Sequence, residues 1–310
     1  MWLILVAYLA LFIIPGITIF RLLNPSSKTN LEKFLLVVPL SLFYNYLTYL
    51  TLNYLGIPIN QISLIVSIFF CILLSLLIKS PDLRNFSKPK KLPNLNLGQI
   101  TFIIILLFAL FLRIILTLGN IYPFSTDISN HLFYARKIVE FGSLPTYPDA
   151  SFVVGEHIFL SYVPIFSGAP IIGYTPVLGL LIINILTILA LYQLSRQISK
   201  SAFTQNFTLF LFSFLFLLGN SQLNFVFGGV VGNVLGYYLI ASAILLTIMT
   251  YTKKSSSAVF LSAIDTQFPR SSSTRPPRTR FSISAIRPII VVFGCFITPL
   301  RLKNMIRCRD

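Results

Sequence analysis

The sequence predicts an all-α protein: a polytopic bundle of about seven transmembrane helices, with one long extracytoplasmic loop that contains an amphipathic helix. Of its 310 residues, 55% are hydrophobic and only 10% are charged, which is typical of an integral membrane protein. Apolar stretches close to the roughly 20 residues that a helix needs to cross a bilayer recur along the chain. The net charge is +16, and the basic residues lie in alternate connections between these stretches and in residues 255–310. This distribution is typical of membrane topology signals, so we expect no nucleic-acid partner.

The first stretch is expected to be a retained membrane helix with its N-terminus outside. It has no basic residues before it, and Arg21 follows it, which is the reverse of the charge pattern of a signal peptide. The predicted membrane helices are residues 2–20, 34–55, 58–78, 98–118, 171–194, 202–219 and 225–250.

The charges of the connections predict which side of the membrane each one faces. Basic residues follow the first, third, fifth and seventh stretches, whereas the connections at 56–61 and 219–224 carry no charge. Because cytoplasmic loops are enriched in Lys and Arg, we expect the loop 120–170 to be extracytoplasmic, and the expected location is the plasma (cell) membrane. Residues 1–97 then form an N-terminal three-helix membrane module, and residues 98–254 form a membrane core.

The loop 120–170 holds four of the six acidic residues before residue 255 and both histidines of the chain. A loop of this length in a compact bundle usually has a function. Its residues 125–142 predict a helix along the membrane surface, which begins at capping residues and ends at Gly142. Four residues form its expected apolar face: Ile128, Leu132, Ala135 and Val139. Asp127 and His131 are four residues apart, so they share another face.

Three polar or small-residue features lie inside the apolar stretches. Arg113 either snorkels to the interface or binds an anion such as a lipid phosphate. Asn184 is expected to make a hydrogen bond between helices, and Gly228, Gly232 and Gly236 predict close helix packing.

The residues from 255 onward differ in composition from those before them. Up to residue 254 the chain has 10 Lys and 5 Arg, and beyond it 1 Lys and 8 Arg, with many Ser and Pro. A natural basic, disordered tail has this character. The abrupt change favours instead a shift of reading frame or a truncated gene model, so we expect the biological protein to continue with further membrane helices.

The order of features between residues 99 and 250 resembles a known family. A helix carrying Arg113 precedes an outer helix that reads Asp-x-x-x-His-x-x-x-Ala-Arg-x-Ile from Asp127, and Gly142 and Pro145 follow. Then come the segment 154–157 (Val-Gly-Glu-His), the segment 167–170 (Ser-Gly-Ala-Pro) and a helix from Asn184 to Arg196. This order is similar to the first luminal loop and following helices of the GT-C superfamily of polytopic glycosyltransferases.

The resemblance implies transfer of a sugar from a polyprenyl-phosphate donor to an acceptor at the extracytoplasmic face, with membrane lipids as the other partner. It implies that Asp127 is the catalytic base or, with His131, holds a divalent metal such as Mg²⁺ or Mn²⁺. Arg113, Glu156 and His157 would then bind the substrate. Many members of the family have a second acid next to the first, which this chain lacks, so Glu156 or Asp149 would have to supply a second carboxylate. The later helices that bind the lipid donor in the family are missing here, which allows for an inactive fragment.

The residues alone also allow other functions. Asp127 and His131 suit a helix cap and an interfacial polar residue equally well. The chain could be a transporter or flippase component for lipid-linked glycans, although no internal repeat supports that function. It could also be a non-enzymatic membrane subunit whose outer helix binds a partner.

Overall fold

The structure is a computed structural model, which describes residues 2–23, 29–77, 96–117, 126–145, 155–218 and 231–251. These residues fold into α-helices and connections, with no strand among them. The helices in chain order are α1 (Trp2–Phe12), α2 (Ile14–Leu23), α3 (Asn30–Tyr54), α4 (Gln61–Leu77), α5 (Leu97–Thr117), α6 (Thr126–Phe141), α7 (Gly155–Ser167), α8 (Tyr174–Ile198), α9 (Ala202–Leu218) and α10 (Val231–Tyr251).

The all-α class and the helices of membrane-spanning character are confirmed. Within the described residues, four segments are long and apolar enough to cross a membrane, namely Trp2–Leu22, Asn30–Tyr54, Leu97–Ile115 and Tyr174–Ile198. Three shorter apolar helices, Gln61–Leu77, Ala202–Leu215 and Val234–Ile248, correspond to the other predicted stretches. The kind of membrane and the direction in which the chain crosses it stay predictions.

One end of the bundle, here called the outer end, gathers the segments that the sequence predicts outside. The hydroxyl of Tyr8 in α1 donates to the backbone carbonyl of Thr175 in α8. The amide nitrogen of Ile59, between α3 and α4, donates to the carbonyl of Gly142 at 2.7 Å. Gln61 Nε2 donates to the carbonyl of Phe166 in α7 at 2.8 Å. These bonds join α1 to α8, the α3–α4 connection to the end of α6, and α4 to α7.

The opposite, inner end is joined through a buried carboxylate that the sequence analysis did not single out. Glu32 forms a capping box with Thr29 at the start of α3. Its Oε1 also accepts hydrogen bonds from Gln193 and Gln197 of α8, each at 2.8 Å. Because this carboxylate has partners on two helices, it links α3 to α8 at the inner end.

A close helix crossing involves Gly16 of α2. A Cβ atom added there would lie 1.9 Å from the carbonyl oxygen of Val37 in α3 and 2.9 Å from the amide nitrogen of Ser41. Only glycine lets the two backbones approach in this way. At Gly236 in α10 an added Cβ would meet no described atom within 4 Å, so the predicted packing role of Gly228, Gly232 and Gly236 stays a prediction. Gly228 and the surroundings of Gly232 lie outside the described residues.

The outer loop contains a second helix that the sequence analysis missed. The predicted helix is confirmed as α6, and Gly142 follows it with φ +63°, the left-handed conformation expected at a helix end. Its buried face carries Ile138 in place of the expected Val139, which is exposed. The additional helix, α7, is buried from Gly155 to Phe166. It packs against α1, α3, α4, α6, α8 and α10.

Arg113 lies in a separate contact region formed by α5, α8 and α9. Its Nε donates to Asn184 Oδ1 at 2.7 Å, and its two terminal nitrogens donate to the carbonyls of Ala109 and Ser213 at 3.0 and 2.9 Å. The predicted hydrogen bond between helices at Asn184 is therefore confirmed. Arg113 has no exposed surface, so its side chain does not extend to the interface as snorkelling requires.

Asp149 and residues 255–310 lie outside the described residues, so the expectations for the second carboxylate at Asp149 and for the tail stay predictions.

Candidate functional site

Three potential ligand side chains meet where α6 packs against α7. His131 Nδ1 lies 3.0 Å from His157 Nε2 and 3.1 Å from the Oε1 atom of Glu156. One ligand atom from each residue lies within 4.8 Å of the others. We call these three residues the outer cluster.

The packing of α6 on α7 determines where the cluster forms. Ile128, Leu132 and Ala135 are buried, so the α6 face that carries them is turned toward the bundle. His131 lies beside this face, at the edge where α7 begins. Glu156 and His157 are the second and third residues of α7. The partial positive charge at a helix N-terminus stabilises a carboxylate such as Glu156 there.

Burial keeps His157 neutral. Its exposed fraction is 1%, and the loss of solvent lowers its pKa to about 3, an effect to which the neighbouring His131 adds. The rings of His131 and Tyr134 flank it, with centroids 5.1 and 5.2 Å away. A neutral imidazole has a lone pair that can accept a proton or bind a metal.

The second nitrogen of the same ring is unusual. His157 Nδ1 is buried and has no hydrogen-bond partner among the described residues. Buried polar atoms in native proteins nearly always have a partner, so an exception invites an explanation.

The outer cluster is not sealed from its surroundings. The side chain of His131 retains 12% of its exposure and that of Glu156 retains 8%. A small group can therefore approach the cluster from the side where His131 is exposed, while His157 forms its buried wall.

The arrangement is short of protons for the hydrogen bonds it could make. His131 Nδ1 carries at most one hydrogen, yet it faces both a carboxylate oxygen and an imidazole nitrogen. If Nδ1 donates its hydrogen to Glu156, it cannot also accept a hydrogen bond from His157. The cluster is therefore suited to receiving a proton or another positive charge between its members.

No protein-family model, curated protein or solved structure matches this chain. The resemblance to the GT-C superfamily therefore stays a prediction from the sequence.

The predicted site residues fall into three groups in the structure. His131, Glu156 and His157 come together in the outer cluster. Asp127 lies one turn before His131 in α6, and its side chain lies outside the described residues. Arg113 makes its hydrogen bonds to α8 and α9, in the other contact region. Its role as a phosphate-binding residue stays a prediction.

The sequence analysis identified each member of the cluster but not their association. It paired His131 with Asp127 in a metal site and assigned Glu156 and His157 to substrate binding. The signal that could have joined them was that the only two histidines of the chain lie in one loop with four of its eight acidic residues.

Proposed function

We propose that this chain is a membrane glycosyltransferase that moves a sugar from a polyprenyl-phosphate donor to an acceptor hydroxyl at the outer end of the bundle. The observation that supports the proposal most strongly is the convergence of His131, Glu156 and His157 between two helices of the outer loop. Ionisable groups gathered in a partly buried site are frequent at reaction centres.

In the proposed reaction the acceptor oxygen forms a bond to the anomeric carbon of the donor sugar. The bond from that carbon to the phosphate oxygen breaks, and its electron pair leaves with the lipid phosphate. The acceptor proton passes to the carboxylate of Glu156, which acts as general base. Glu156 suits this role because its oxygen lies 3.1 Å from His131 Nδ1, which holds the carboxylate in place.

The bundle supplies the setting that such a reaction needs. Helices of membrane-spanning length would hold a long lipid chain beside the protein. If the outer end of the bundle lies at a membrane surface, as the sequence predicts, the cluster would lie near the phosphate of a lipid carrier. The rings of His157 and Tyr134 lie 5.2 Å apart beside the carboxylate and would limit access of water to it.

The test is a transfer assay in membranes that contain the full chain, with labelled polyprenyl-phosphate sugars as donors. Glu156→Gln should lower transfer 10²- to 10⁴-fold, the usual contribution of a general base. Glu140→Gln is the matched control, because Glu140 is an exposed carboxylate on α6 that pairs with Arg136. Equal transfer by both variants would overturn the role of Glu156.

Asp127 is the base that the family resemblance implies, and the same assay tests it. We expect Asp127→Asn to reduce transfer as well, because Asp127 is the acid of this helix to which the resemblance gives the catalytic role and it lies one turn before His131. Full transfer by this variant, with loss in Glu156→Gln, would leave Asp127 as a helix-capping residue.

The transporter and non-enzymatic functions are outcomes of the same experiment. Movement of the labelled lipid across the membrane without transfer of its sugar would favour a flippase component. Absence of both activities at normal expression would favour a structural subunit.

A further inference from the structure

The spacing of the outer cluster resembles the coordination shell of a metal ion. Two ligand atoms held about 2.1 Å from one ion are about 3.4 Å apart at the tetrahedral angle that zinc prefers, and about 3.0 Å apart at a right angle. The distances from His131 Nδ1 to His157 Nε2 and to Glu156 Oε1 are 3.0 and 3.1 Å. The third pair of ligand atoms lies within 4.8 Å.

A cation would also resolve the shortage of protons in the cluster. A single hydrogen on His131 Nδ1 cannot serve both Glu156 and His157, whereas one ion can accept a lone pair from each of the three residues.

The types of ligand indicate which class of ion fits. Two imidazoles and one carboxylate suit zinc and neighbouring transition metals, which also occur with open coordination positions in catalytic sites. Magnesium prefers oxygen ligands and is reluctant to lose its water. The sequence analysis expected Mg²⁺ or Mn²⁺ on Asp127 and His131, so the geometry changes both the ligand set and the preferred ion.

We propose that His131 Nδ1, His157 Nε2 and one oxygen of Glu156 bind a divalent transition-metal ion, with Zn²⁺ strongly preferred over Mg²⁺. The ion would lie beside His131, where the cluster is partly exposed and a phosphate oxygen could reach an open position. The second oxygen of Glu156 stays available as a proton acceptor. His157 would then carry its hydrogen on Nδ1, the buried atom that has no acceptor among the described residues.

The chain offers an unusually clean test, because His131 and His157 are its only histidines. The full chain is purified in detergent without a histidine tag and is freed of metal with a chelator. Binding of Zn²⁺ and of Mg²⁺ is then measured by calorimetry, and Co²⁺ serves as a spectroscopic substitute. We expect one Zn²⁺ per chain, negligible binding of Mg²⁺, and imidazole nitrogen signals in the spectrum of the Co²⁺ form.

Single substitutions distinguish the loss of a metal ligand from a general disturbance of the fold. His157→Gln should weaken Zn²⁺ binding by more than the 10- to 100-fold that loss of an outer-sphere partner costs. The matched control is Gln61→Asn, which alters a side chain that bonds to α7 but supplies no ligand. The control should keep the wild-type affinity. Unchanged Zn²⁺ binding in His157→Gln, or in the variant that lacks both histidines, would overturn the proposal.

A heat-stability measurement keeps the test valid if His157→Gln folds poorly. Saturating Zn²⁺ should raise the Tm of the wild-type chain, because the ion binds only the folded state, and Mg²⁺ should not. No shift with Zn²⁺ would contradict the proposal.

Transfer assays separate the metal site from the proposed function. Transfer activity in a chain that binds no Zn²⁺ would overturn the metal site and leave the enzyme function intact. Zn²⁺ binding at these residues in a chain without transfer activity would do the reverse.

Discussion

Two of the buried polar regions in the described bundle, around Arg113 and in the outer cluster, differ in how their atoms are matched. Around Arg113, donors meet acceptors: three of its nitrogens point to an amide oxygen and two carbonyls on α5, α8 and α9. In the outer cluster, His131 Nδ1 lies about 3 Å from both a Glu156 oxygen and a His157 nitrogen, so the lone pairs that converge there outnumber the one hydrogen that Nδ1 can carry. A region with matched donors and acceptors fixes helices together, whereas a region with converging lone pairs is prepared for a proton or a cation.

The comparison assigns different consequences to substitutions in the two regions. Changes in the outer cluster should affect activity and metal binding more than stability. Changes around Arg113 should affect stability and leave the activity of the folded protein close to normal. Four substitutions test this division, from the largest expected effect to the smallest.

The largest effect is expected from His131→Gln. The side chain holds the carboxylate of Glu156, and its loss should reduce transfer about 100-fold or more. Because His131 is partly exposed, we expect only a small change in Tm. The rate of transfer and the Tm are measured on the same membranes. A large fall in Tm with normal transfer per folded molecule would show that His131 stabilises the fold and has no part in the reaction.

Asn184→Leu should have the next largest effect, this time on stability. It removes the acceptor of a buried, charged donor, which costs about 1.5–3 kcal/mol of unfolding free energy. Denaturation in detergent measures this loss, and Thr187→Val on the same helix is a suitable control, because its hydroxyl bonds within α8. A loss of transfer without a loss of stability would instead connect Arg113 to the substrate, as the sequence analysis expected.

Gly16→Ala tests whether a steric change far from both regions disturbs the cluster. The added methyl would overlap the carbonyl of Val37, and overpacking of this kind costs about 1–3 kcal/mol. We expect a lower Tm with normal Zn²⁺ affinity in the fraction that folds. The control is Gly56→Ala, where an added Cβ meets nothing and only the left-handed backbone, at φ +68°, opposes it. Loss of Zn²⁺ affinity in folded Gly16→Ala would show that the cluster depends on distant packing.

The smallest effect is expected from Arg136→Gln. Arg136 pairs with Glu140 at 2.6 Å on the exposed side of α6, and pairs of this spacing contribute about 0.2–0.5 kcal/mol. Both transfer and Tm should stay near the wild-type values. A large loss of transfer would move the reaction centre from the buried side of α6 to its exposed side.

Local signals in the sequence predict much of this fold. The apolar stretches predicted the long helices because each is long enough to cross a bilayer. The spacing of Ile128, Leu132 and Ala135 predicted α6, and Gly142 predicted its end, because both are properties of single turns of helix. The presence of Asn184 in an apolar stretch predicted a hydrogen bond between helices but not Arg113 as its partner, because partners are chosen by packing.

The outer cluster could not be predicted in the same way. The helix α7 is buried on all sides, so it has no polar face whose spacing would reveal it, and it is shorter than a membrane span. His131 and Glu156 are brought together by the packing of α6 on α7, across 25 positions of sequence that carry no local signal of the contact. The sequence analysis could find the residue types and their common loop, but not which of them share a site.

The most direct test of the account is a double-mutant cycle in the transfer assay, with Glu156→Gln, His131→Gln and both together. Residues that act as one unit give non-additive losses, so the double variant should transfer within about threefold of the weaker single variant. Losses that multiply in the double variant would show that Glu156 and His131 act independently, and they would contradict a single reaction centre at the outer cluster.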